Sequence, residues 1–163
     1  MRFWYDTEFI EDGRTIELVS IGVVAEDGRE YYAVSTEFDP ATAVPWVRDN
    51  VLGQLPPPGD PAWRTRAQVR DDLLEMLGDD PQLWAWIGPY DHLVLVQLWG
   101  DMTALPRHIP RFTRDVKQLW EHLGRPPQER QPSGAHHALA DARHVRVRWE
   151  ALAERAYLLG LSV

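Results

Sequence analysis

Two Asp-Gly pairs, Asp12-Gly13 and Asp27-Gly28, interrupt runs of β-branched and aromatic residues near the N-terminus. Such a pair between such runs is the strongest short-range hairpin signal, because glycine accepts the positive φ that tight turns demand. The runs MRFWYDTEF, TIELVSIGVVA and EYYAVS therefore predict a three-stranded antiparallel meander. This start excludes an all-helical fold. It also raises a question, because the first strand carries two carboxylates, Asp6 and Glu8. Residues two apart in a strand project from the same face. Like charges that close repel unless something cationic lies between them.

From Pro40 the texture changes. VPWVRDNVLGQL predicts a short helix and PPPGDP a loop, and Arg64 to Leu77 carries a helical stripe of Val69, Leu73, Leu74, Met76 and Leu77. QLWAWIG, bounded by Pro81 and Gly88-Pro89, suits a short buried strand. A helix is expected to follow from Tyr90 or Asp91, and another over Asp115 to Leu123. Then comes the polar, proline-rich break Gly124 to Gly134. The last helix is predicted over Ala138 to Leu159, with Leu139, Val145, Trp149, Leu152, Ala156 and Leu159 as its core stripe. A meander followed by alternating helices and short strands predicts an α/β fold, a mixed sheet flanked by helices.

At 163 residues, 44% of them hydrophobic with eight Trp, the chain has the size of one domain, residues 1–163, with a core that needs no cross-links. The lack of cysteine excludes disulfides and thiolate zinc sites. With no apolar run long enough to span a bilayer and no signal-peptide pattern, a soluble cytoplasmic protein without membrane contact is expected. A net charge of -8 argues against simple electrostatic adhesion to a polyanion, unless several acids bind cations. Arginines cluster in RHIPRFTR and ARHVRVR, which read equally well as solvated faces.

Three further features carry chemistry: Asp6 with Glu8, Asp91 after a buried strand, and HHALAD from His136 to Asp141. Singly, each occurs about as often as composition predicts. Position gives them weight, since strand ends and strand-to-helix junctions are where mixed sheets place functional groups. Plainer readings stand beside this one. Asp91 suits a helix N-cap, Asp141 an acid at a helix N-terminus, and Glu8 a strand-edge residue. His137, Asp141 and His144 share one helical face and could form a surface cluster.

Taken in order, Asp-x-Glu in the first strand, Asp after a mid-chain strand and His-x-x-x-x-Asp opening a late helix, the pattern resembles the DEDDh 3'-5' exonucleases. That family includes ribonuclease T and oligoribonuclease. HHALADA is the most specific match, and YDTEF corresponds to the first motif, with Phe9 where Thr is common. GPYDHLVL is the loosest, having Gly88 and Pro89 where many members carry Asn. The size and the Asp-Thr-Glu-Phe form resemble the small single-domain actinobacterial exoribonucleases.

The resemblance implies a ribonuclease H-like fold and stepwise hydrolysis from a 3' end that releases nucleoside 5'-monophosphates, with RNA ranked ahead of DNA as substrate. It implies that Asp6, Glu8, Asp91 and Asp141 hold two divalent ions, Mg2+ or Mn2+. Such a pair, ~4 Å apart, stabilises both the attacking and the leaving oxygen. It makes His136 the general base and lets Thr7 and Phe9 touch the terminal nucleotide through backbone groups and ring stacking. Homodimers are common among similar ribonucleases. The alternatives are a 3'-5' DNA exonuclease, a hydrolase of small phosphoesters, or a silent ribonuclease H-like module that binds nucleic acid or protein. A silent module has no need to keep all five residues.

Helix geometry and resemblance disagree on one point. In a continuous helix His137 would lie within ~40° of Asp141 and His136 ~140° away. If the helix begins at Ala138, His136 stands on the approach, free to reach the site, and His137 faces solvent or caps the helix. The glycine and prolines before it favour that late start. They also leave the preceding segment mobile, able to close over substrate.

Overall fold

The structure, a computed structural model, describes residues 1–162. Strands β1 (Arg2–Glu11), β2 (Ile16–Ala25) and β3 (Glu30–Ser35) form the expected antiparallel meander. Both connections use their Asp-Gly pairs, although each loop spans four residues. Gly13 and Gly28 sit at φ 80° and 90°. Asp12 accepts the amides of Arg14 and Thr15, and Asp27 accepts that of Arg29. Helix α1 (Pro45–Asn50) follows, then β4 (Trp63–Arg64) and α2 (Arg66–Leu77), which opens on a capping box between Thr65 and Gln68. Next are β5 (Gln82–Ala85), α3 (Pro89–Val96), β6 (Arg114–Asp115), α4 (Val116–His122) and α5 (Ala138–Leu158).

The six strands lie in the order β4-β3-β2-β1-β5-β6, with β4, β5 and β6 joining in parallel. The sequence contains no visible signal for the two-residue strands β4 and β6. Their contribution is a pair of edge contacts, too short for any periodicity to register.

Alternation along β1 builds both layers of core. Phe3 and Tyr5 face a cluster that includes Leu73 and Met76 of α2 and Val94 and Leu95 of α3. Trp4 faces the other way, joining Trp84, Val116 of α4, and Val145, Trp149 and Leu152 of α5. The Trp149 ring lies 5.2 Å from Trp4, tilted, and 5.6 Å from Trp84, edge-on, arrangements worth about 0.5–1.5 kcal/mol per pair beyond burial. Continuing the alternation puts Asp6 and Glu8 on the α5 face and Thr7 on the α3 face.

Three boundaries differ from the sequence reading. Asp6 and Glu8 lie inside β1, which runs on to Glu11, rather than at its end. Their partner strand β5 stops alongside Trp4, however, so on that side the carboxylates do stand beyond the sheet. Helix α3 starts at Pro89 with Gly88 as its cap, which removes the N-cap reading of Asp91. Leu159 lies past the end of α5 and is 56% exposed, so the core stripe ends at Ala156. Helix α5 begins at Ala138, the late start on which the choice between the histidines turned.

What brings α5 to the sheet is the absence of a side chain. Gly22 of β2 pairs with Asp6, and a Cβ at Gly22 would stand 2.3 Å from the backbone N and Cα of Leu139. Backbone cannot yield as a side-chain tip can, so α5 docks against β2 only because Gly22 is bare. Gly22→Ala is expected to destabilise the fold by about 1–3 kcal/mol and to push the first turn of α5 away from β1. A denaturant titration with a matched activity assay checks this; equal stability with full activity would show that the close approach is dispensable.

Candidate active site

The first turn of α5 carries Asp141 toward the carboxylates of β1. One ligand atom each from Glu8, His136 and Asp141 lie within 4.8 Å of one another, a group able to hold a metal ion. Asp6 projects from the same face of β1 as Glu8 but lies outside that 4.8 Å group. Asp91 arrives from the opposite side, where β5 has already parted from β1. Its Oδ1 accepts both the backbone N–H and the hydroxyl of Thr7, each at 2.8 Å.

Thr7 therefore differs from its expected part. Its side chain is buried and its amide is engaged on Asp91, so neither group is on offer to a nucleotide; Thr7 buttresses a carboxylate. Phe9 is half-buried, stacked on Tyr90 at 5.8 Å. It lines a cavity of about 330 Å3 together with Glu8, Val44, Trp46, Val47 and His136.

The approach to α5 is strained where it matters. His136 sits at φ 66°, a conformation that residues with a side chain seldom adopt. Its backbone N–H donates to Asp141 Oδ2 at 2.8 Å, and its ring packs edge-on against Trp46 at 4.7 Å. Gln54 holds the preceding carbonyl, that of Ala135, at 2.8 Å. His137 occupies the N-cap of α5 without making a side-chain capping bond. Of the two places expected for it, solvent or the cap, it takes the cap position, with its half-buried ring stacked on Tyr32 at 4.5 Å. His144 is buried, which overturns the surface cluster of His137, Asp141 and His144. The arginine runs are not simply solvated either: Arg146 lies over Trp4 and Arg148 over Trp86.

A second strained residue supports Asp91. Ile87, β-branched yet at φ 63°, and Gly88 both donate their amides to Asp115, the cap of α4. That clamp sets the turn from which α3 delivers Asp91.

Electrostatics betray the crowding. Burial, and then Asp91, Glu8 and Asp141 nearby, hold the Asp6 carboxyl well above its ordinary range. Burial and the charges of Asp141 and Asp91 push Glu8 up to about 8. Burial raises Asp91 to about 7 against the two bonds from Thr7, which pull it down. Groups this reluctant to ionise together would be relieved by divalent cations. The oxygen-rich donor set, with one imidazole at its edge, fits Mg2+ or Mn2+.

The sign of the resulting pH dependence follows. Between the ordinary carboxylate range and about pH 8 the folded protein keeps protons that the unfolded chain has released. Stability of the metal-free protein should therefore fall as pH rises through that window and level off above it. Saturating Mn2+ should reverse the trend. Thermal melts in chelator and in Mn2+ test both; a metal-free melting point that rises from pH 5 to 8 would contradict the crowding.

The sequence did not single out Gly22, Trp46 or Gln131, whose Nε2 donates to Asp141 Oδ1 at 2.6 Å. Only Gly22 left a signal, a lone glycine inside an apolar strand.

Comparison with known proteins gives consistent matches. Residues 1–153 match the 3'-5' exoribonuclease Rv2179c-like domain family. The 3'-5' exoribonuclease Rv2179c of Mycobacterium tuberculosis strain H37Rv is 63% identical over 147 residues, 88% of each chain. The 3'-5' exoribonuclease MT2234.1 of strain CDC 1551 matches equally. Among solved structures, S. pombe Pop2p in its Mg2+ and Mn2+ bound form has a TM-score of 0.56 at 11% identity, covering 93% of this chain and 82% of that one. The Aedes aegypti Nibbler EXO domain has a TM-score of 0.50 at 10% identity, covering 99% and 81%.

Proposed function

The chain belongs to the Rv2179c-like family of 3'-5' exoribonucleases, and from that premise we propose that it hydrolyses RNA by the metal-dependent chemistry of the DEDDh class. The observation that carries the reading is the convergence of Glu8, His136 and Asp141 within 4.8 Å, close enough to Asp6 and Asp91 for the acids to raise one another's pKa. These residues come from β1, the approach to α5, α5 itself and α3, and no structural need explains such an accumulation of repelling acids.

Asp6, Glu8, Asp91 and Asp141 would hold two divalent ions, Mg2+ or Mn2+. When bound, the ions supply charge stabilisation for the attacking and leaving oxygens. The chain's own residues do the rest. His136 takes the proton from the attacking water at an imidazole nitrogen. Thr7 fixes Asp91 through two bonds, so that this carboxylate costs little reorganisation. Phe9 and Trp46 offer rings in the cavity beside His136, where the terminal base can stack.

The test is an oligoribonucleotide labelled at its 5' end, incubated with Mn2+ beside its deoxyribonucleotide counterpart and a 3'-phosphorylated copy. A descending ladder from the 3'-hydroxyl RNA, weak cleavage of DNA and resistance of the blocked copy are expected. Equal loss of the blocked and free forms would refute recognition of a 3' end.

A further inference from the structure

Asp141 is held from two sides by groups that do not belong to α5. Its Oδ2 accepts the backbone N–H of His136, and its Oδ1 accepts Gln131 Nε2. Gln131 lies in the proline-rich stretch between α4 and α5, a segment without regular structure. Its amide is fixed twice, because the same nitrogen also donates to the Ser133 carbonyl at 3.2 Å. The surrounding segment is anchored independently, by Trp120 donating to the Pro126 carbonyl at 2.7 Å and by Gln54 on Ala135. The bond from Gln131 to Asp141 is therefore not what keeps the segment folded onto the protein.

We propose that Gln131 is a positioning residue for Asp141, holding one carboxylate oxygen so that the others of its lone pairs face a divalent cation beside Glu8. The inference rests on the metal-dependent reading above. An ionised carboxylate has about four lone-pair sites, and the bonds from Gln131 and His136 use two, leaving two for cations. Donors of this kind fix the rotamer of a metal ligand. Glu8, His136 and Asp141 already stand within 4.8 Å of one another with the Gln131 bond in place, the arrangement a support would leave.

Gln131→Met keeps the length of the side chain and removes the donor; Gln131→Ala removes both. Calorimetric titration of the full chain with Mn2+, without RNA, is the direct readout. Each variant should bind Mn2+ about 10- to 100-fold more weakly than wild type, the usual loss when such a support is removed. Melting of the metal-free protein should not change, since Gln131 is a half-exposed loop residue. Cleavage should fail at low Mn2+ and recover at high Mn2+, with KM for RNA unaltered. Unchanged Mn2+ affinity in both variants would overturn the proposal while leaving the metal-dependent reading intact. Tighter binding would also overturn it, by making Gln131 a competitor of the ion. A wild-type protein that binds no Mn2+ would remove the underlying reading and the proposal together.

Discussion

Asp6→Asn, Glu8→Gln, Asp91→Asn and Asp141→Asn are each expected to reduce RNA hydrolysis to background while the protein still folds. Each change removes a negative charge from a group of mutually repelling carboxylates, and none opens a cavity. In the absence of metal, Asp6→Asn and Glu8→Gln should melt at or above wild type at pH 8, because burial and mutual repulsion penalise these charges. Asp91→Asn has a way to keep its setting: the amide oxygen can accept both donors of Thr7. Asp141→Asn is tighter, since only one oxygen remains for two donors. That oxygen is expected to stay with the His136 amide, whose direction is fixed, while Gln131 turns its own amide over. Rates at saturating Mn2+ together with melting curves decide the matter. Wild-type turnover by any one variant would remove that residue from the site.

His136→Ala should slow cleavage by roughly 10²- to 10⁴-fold, the usual worth of a positioned general base, with Mn2+ binding retained. His137→Ala should be milder by comparison, since its ring packs on Tyr32 and stands apart from the group formed by Glu8, His136 and Asp141. The left-handed backbone at His136 adds a control. His136→Gly removes the imidazole and the conformational penalty together, so it should be as inactive as His136→Ala and more stable. Loss of activity in His137→Ala, with His136→Ala near normal at the same pH and metal, would exchange their roles.

The meander was legible because Asp-Gly turns and alternating strands leave short-range marks. The late start of α5 was legible because glycine and prolines stop a helix from beginning earlier. The acids of β1, α3 and α5 were legible as a set, although Asp91 was misplaced by two residues of helix. Thr7 was misread because its partner lies 84 positions away, and no local pattern reports a hydrogen bond of that range. Gln131 could not be found at all, since glutamine in a proline-rich loop looks like solvent-facing filler until the fold carries it onto Asp141. Trp46 reads as an ordinary apolar residue of a short helix, and only the path of the segment before α5 sets it against His136.

The site draws on residues from Asp6 to Asp141, and the helix that supplies the last acid packs over the first two strands. During synthesis the strands, α3 and their three acids leave the ribosome well before Asp141 does. A nascent or prematurely terminated chain that stops short of residue 138 lacks both His136-Asp141 docking and the lid of α5 over Gly22. The close docking that Gly22 permits can therefore form only after the last helix has been synthesised.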